Sequence, residues 1–160
     1  MPAPVDTIKP ILPPSPWICP ACIGEDVQIE DKWSFYIDGS FLCGDIDTAI
    51  VITPERNGFT FFGPSSCSSD SGMVFTVFLN GELLNKDIYN FTTQNIAFYY
   101  YDNIGQTLAY TSKRSIPFSF TIESYVHQTH VAIGTFSGPV VKPNGVAVTV
   151  TSGKFKVKLK

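Results

Sequence analysis

From His130 to Lys160 the chain reads HVAIGTFSGPVV, then KPNG, then VAVTVTSGKFKVKLK. Two alternating, β-branched runs around a Pro-Asn-Gly turn commit this stretch to an antiparallel hairpin. In its second arm Val146, Val148 and Val150 share one parity, while Phe155, Val157 and Leu159 share the other. The register therefore slips by one residue at Ser152-Gly153, as a β-bulge with glycine in the left-handed position would make it. A two-residue hairpin at the same place is the alternative. Lys154, Lys156, Lys158 and Lys160 alternate beyond the slip, which keeps one face wet and discourages edge pairing.

The rest of the chain repeats this grammar. In the run from Trp33 to Cys43, Trp33, Phe35 and Ile37 point one way, and Asp38-Gly39 marks a turn or bulge. Thr48 to Thr53 and Gly58 to Phe62 read as a hairpin over Pro54 to Asn57, with Asn57-Gly58 supplying the positive-φ positions. Met73 to Leu79 is apolar at both parities and reads as a strand buried on both sides. Further strands fall at Ile88 to Thr92, Ile96 to Tyr101 and Thr107 to Thr111. From Ile116 to Tyr125, Ile116, Phe118, Phe120 and Ile122 face the core. About ten short strands with no crossover helix predict an all-β, antiparallel, two-sheet sandwich. A lipocalin-like barrel, which would enclose a cavity of roughly 300 Å³ or more, is the alternative.

Composition agrees. Aromatic residues make up 14% of the chain, with thirteen Phe and seven Tyr, which favours pleated surfaces over helices. Residues 1–27 hold more than half of the twelve prolines and no apolar period, so they read as a semi-rigid tether before a single β domain at 28–160. The opening MPAPVDTIKPILPPSP lacks the basic head and apolar core of a signal peptide. No apolar run reaches the roughly 20 residues of a membrane-spanning helix. A net charge of −3 and a pI near 5.2 give no footprint for nucleic acid. Glu25, Asp26, Glu30, Asp31, Asp38, Asp45 and Asp47 crowd one segment; they read as solvated loops, with a weak Ca²⁺ site as the alternative.

Four cysteines are present, Cys19, Cys22, Cys43 and Cys67. The CxxC of Cys19 and Cys22 has neither the second CxxC of a zinc ribbon nor the strand-to-helix setting of a redox motif. Disulfides are the favoured reading, with Cys43 bonded to Cys67 and Cys19 to Cys22. Pairings that cross from leader to domain, a zinc site and free thiols are the alternatives.

Catalytic patterns are weak. On a strand, the three-residue spacing of His127 and His130 would put them on opposite faces, and no HExxH occurs. Ser66, Ser68 and Ser71 lack the G-x-S-x-G setting of a hydrolase. Asp45 and Asp47 share a parity and could meet near Asp38 as an acid pair, but nothing marks a cleft around them. There is no Gly-rich phosphate loop, and no cofactor is implied. The stronger hint is aromatic. If Ile96, Phe98 and Tyr100 pack inward, Tyr99 and Tyr101 point outward, with Tyr36, Tyr89 or Tyr110 beside them. Exposed tyrosines of this kind stack on sugar rings or on a partner's surface. The competing reading is a strand whose two faces are both covered by aromatic packing.

The closing segment resembles the C-terminal end of small Bacteroidota lipoproteins of unknown function, through Gly134, Thr135, Phe136, Ser137, Val148, Thr149, Val150, Ser152, Gly153, Lys154, Phe155 and Val157. Trp33 to Phe41, with Asp38-Gly39, resembles the first strand of that family. The resemblance implies a non-enzymatic envelope domain, periplasmic or on the cell surface, held to the membrane only through an N-terminal lipid anchor that this sequence does not contain. A glycan or another envelope protein would be its partner. In that setting Asp6-Thr7-Ile8 and Asp47-Thr48-Ala49 fit a short O-glycosylation pattern.

Overall fold

A computed structural model describes Cys22 and residues 31–66, 70–102 and 107–160. Among these residues eleven strands form one antiparallel sheet: β1 (Lys32–Ile37), β2 (Ser40–Asp45), β3 (Thr48–Val51), β4 (Gly58–Pro64), β5 (Ser71–Phe78), β6 (Ile88–Thr93), β7 (Ile96–Asp102), β8 (Thr107–Thr111), β9 (Ser119–Val126), β10 (Val131–Val141) and β11 (Ala147–Lys158). The strand order is β2-β1-β11-β10-β8-β7-β5-β4-β3, with β9 branching from β10 and carrying β6. β10 makes the branch because its first part, Val131 to Ser137, pairs with β9 while Val141 reaches β8.

Where the alternating pattern suggests two separate sheets, the hydrogen bonds run through a single strongly curled one, a half-barrel. Its ends approach each other. The Val51 amide donates to the Lys160 carbonyl, the Lys160 amide donates to the Ala49 carbonyl, and Gly44 bridges Ser65. Among the described residues, phenylalanines fill the concave side, where a lipocalin-like barrel would keep a chamber. Phe75 on β5 meets the rings of Phe61, Phe98, Phe118, Phe120 and Phe136 at centroid distances of 4.8–5.8 Å. Burying rings of this size supplies much of the drive to fold.

Such a density of rings needs room, and glycine provides it. Four aromatic residues stand directly across the strand ladder from a glycine: Trp33 from Gly44, Phe155 from Gly134, Phe136 from Gly153, and Tyr101 from Gly72. In each pair, a Cβ on the glycine would overlap the ring of its partner. The aromatic side chain leans over the bare backbone, a device that also shields the glycine strand.

The closing hairpin forms as its sequence predicts, with Val141 opposite Ala147, Gly145 at φ +86°, and the Gly145 amide bonded to the Lys142 carbonyl at 2.8 Å. The slip is a bulge within one long strand. β10 steps two residues, Phe136 to Gly138, while β11 steps three, Gly153 to Val150; β1 steps Ser34 to Tyr36 against Lys154 to Thr151. The left-handed residue is Ser152, at φ +52°, and not Gly153. Gly153 serves space instead, because it lies under Phe136. Two other assignments change. In the β3–β4 connection Arg56 (φ +58°) takes the left-handed position expected of Asn57-Gly58. Of the apolar residues from Met73 to Leu79, Met73, Phe75, Val77 and Leu79 are buried; Val74 and Phe78 are half-covered, since the convex side of a curl has no second sheet on it.

The cysteines correct the favoured pairing. Cys22 is bonded to Cys43, with a Cα–Cα distance of 5.8 Å, which excludes both Cys43–Cys67 and Cys19–Cys22. Cys19 and Cys67 lie outside the described residues. Cys43 points to the convex side of β2, so Cys22, from the Pro-rich leader, is held against that face. Ser34, directly opposite Cys43 and outward by parity, is only 3% exposed.

Two measurements check this architecture. Phe75→Ala is expected to cost about 3–5 kcal/mol in chemical denaturation, whereas Phe62→Ala, on the convex side, stays below about 1 kcal/mol. Peptide mapping of non-reduced protein is expected to recover Cys22 joined to Cys43; a Cys43–Cys67 peptide would refute the pairing.

Candidate functional site

The parity reading of β7 holds: Phe98 and Tyr100 are buried, and Tyr99 and Tyr101 sit half-covered on the convex side. The five candidate tyrosines nevertheless do not form one platform. Tyr36 lies on β1, with β11, β10 and β8 between it and β7. There its ring packs on Phe41 at 4.5 Å. Tyr89 lies on β6, on the far side of β9, and its hydroxyl contacts Asp87 at 3.3 Å. Tyr110 turns inward beside Tyr100, with centroids 6.2 Å apart.

What Tyr99 does join is a row that runs across the sheet. The register places Thr48, Phe62, Val74, Tyr99 and Thr111 side by side on β3, β4, β5, β7 and β8. The next row is Ile50, Thr60, Thr76 and Ala97. Phe62 is 37% exposed and Ile50 51%, and the Thr60 and Thr76 hydroxyls lie 3.1 Å apart. Neither row carries a charged side chain. Phe62 and Tyr99 stand two strand spacings apart, about 10 Å. Tyr101 closes one end of the face, its phenol leaning over Gly72. Partial burial, with the charge of Asp47 and then Tyr99 adding to it, raises the Tyr101 pKa above its ordinary 10.0.

The outward position of Phe62 has a signal in the sequence. In Phe59-Thr60-Phe61-Phe62, adjacent phenylalanines on a strand cannot both face the core. Phe59 and Phe61 are buried, so Phe62 must emerge.

The histidines also sit differently from their strand-based placement. Residues 127–130 form the β9–β10 turn, which stacks the two rings at 5.3 Å instead of opposing them. His127 is fixed from two sides: its amide donates to Asp87 Oδ1 at 2.8 Å, and its Nδ1 lies 3.0 Å from the Tyr125 hydroxyl. Arg56 reaches the same tyrosine and donates from Nε to the Leu84 carbonyl at 2.7 Å, tying the 80–87 loop to the core. Among the described residues, no group of three or more His, Cys, Asp or Glu side chains could hold a metal ion. The acid-pair arrangement does not form around Asp38. Asp38 sits in the β1–β2 turn, bonded to Lys142 at 3.2 Å, whereas Asp45 pairs with Lys32 at the opposite end of that hairpin. Six residues of strand separate them, about 20 Å.

Compared with protein families, curated proteins and solved structures, the chain finds no match.

Tyr110 yields a pH prediction. Burial, and secondarily the charge of Asp38, raises its pKa above 10.0. Below pH 10 the phenol is protonated in both folded and unfolded chains, so its contribution is fully retained. As pH rises from 10 through the folded value, the unfolded chain ionises first and stability falls. Denaturation midpoints are expected to drop above pH 10, and Tyr110→Phe is expected to flatten that drop.

Proposed function

We propose that this chain is a non-enzymatic, lipid-anchored domain of the cell envelope that presents the convex face of β3, β4, β5 and β7 to a neutral glycan. The observation that carries the reading is the uncharged cross-strand row of Phe62, Val74 and Tyr99 flanked by threonine hydroxyls. Aromatic faces stack on the C–H faces of sugar rings, and hydroxyls and phenols exchange hydrogen bonds with sugar hydroxyls. The absence of charge along both rows favours a neutral ligand over an ionic one. The rows sit on paired strands, so the face is pre-organised and little ordering accompanies binding.

The compartment is supported by chemistry. A buried Cys22–Cys43 bond belongs to an oxidising environment. The residues that resemble envelope lipoproteins point the same way. The polar clusters support a non-catalytic reading, because Asp45, Asp87 and Arg56 are each engaged in holding loops or strand ends.

A glycan array followed by titration of the best soluble oligosaccharide tests the proposal. Tyr99→Ala and Phe62→Ala are each expected to weaken binding roughly two- to tenfold, for stacking of ~0.5–1.5 kcal/mol per ring. Retention of no glycan, or full affinity in both variants, would sink it.

A further inference from the structure

A second feature lies on the other flank of the curl. Between the β1–β2 turn and the bulged part of β11 runs an open groove of about 710 Å³, walled by Tyr36, Asp38, Val148, Thr149, Thr151 and Ser152. This is the size range of small-ligand sites, roughly 300–1,000 Å³. The bulge makes the groove: the extra residue of β11 lies at Thr151-Ser152, and Thr151 pairs directly with Tyr36. Tyr36 is 42% exposed, yet its ring is held from behind by Phe41. An exposed ring with a fixed plane is a stacking surface that binding does not have to order.

The polar side has a matching character. Asp38 is bonded to Lys142, so its charge at the groove is balanced. An ionic ligand would have to compete with the existing ion pair, whereas a neutral ligand with hydroxyls can donate to Asp38 beside it. Thr149, Thr151 and Ser152 add hydroxyls that donate or accept. Ala147 and Val148 border the groove at its far end.

We infer that this groove is a binding site for a neutral sugar ring or similar polyol, stacked on Tyr36 and hydrogen-bonded to Asp38 and the β11 threonines. The site is separate from the Phe62–Tyr99 face, since β11, β10 and β8 stand between β1 and β7.

The experiment is amide NMR of the full chain with glucose, galactose, mannose and N-acetylglucosamine, and with glucuronate and glucosamine as charged counterparts. At least one neutral sugar is expected to shift Tyr36, Thr149 and Thr151 saturably. Tyr36→Ala is expected to weaken that binding roughly tenfold, Asp38→Asn several-fold, and Tyr36→Phe little. Asparagine tolerates the left-handed φ of +54° at position 38, so the turn survives that substitution. Tyr99→Ala is expected to leave this binding unchanged. No shift at Tyr36 and Thr151 with any neutral sugar would overturn the assignment, as would unaltered affinity in both Tyr36→Ala and Asp38→Asn. Tighter binding of a charged counterpart would overturn the neutral-ligand argument. Sugar binding abolished by Tyr99→Ala but not by Tyr36→Ala would leave the convex face as the site and remove the groove.

Discussion

Rings from both flanks of the curled sheet meet at Phe75, and the rest of the molecule is arranged to let them meet. Phe61 arrives from the neighbouring β4, Phe98 from β7, Phe120 from β9 and Phe136 from β10, all within 5.8 Å of the Phe75 ring. A sheet that curled less would leave a void at this point, and voids in a core are costly. A sheet carrying Cβ atoms at Gly44, Gly134 and Gly153 could not bring its rings in at all. Curvature, aromatic content and glycine placement are thus one requirement expressed three times.

That requirement gives a physical meaning to the closing segment. Gly134 faces Phe155 and Phe136 faces Gly153, so the two strands exchange glycine for phenylalanine in both directions. These four residues are among those on which the resemblance to envelope lipoproteins rests. What they report is how two strands pack, which is why they indicate architecture and carry no chemistry.

Strand positions were readable because burial on a pleated sheet alternates, and Trp33, Phe35 and Ile37 or Phe118, Phe120 and Ile122 display that alternation openly. The slip at Ser152-Gly153 was readable by the same parity, but which residue turns left-handed was not. Parity counts residues and carries no information on φ at each of them. Long-range pairing stayed hidden for a similar reason. Nothing local tells β7 that its neighbours are β5 and β8, so the inward and outward tyrosines could be sorted while their lateral neighbours could not. Cys22–Cys43 and the stacked His127 and His130 are also products of tertiary placement; spacing along a presumed strand misassigns a histidine pair that lies in a turn.

The Cys22–Cys43 bond also has a mechanical meaning. It closes a loop that contains all of β1, the strand lying between β2 and β11. Tension applied to the chain before Cys22 passes through the sulfurs to Cys43 and bypasses β1. The strand that carries Trp33, Phe35 and Tyr36 is therefore shielded from any pull along the leader. A pull on the chain before Cys22 thus leaves one wall of the core, and the groove beside it, unloaded.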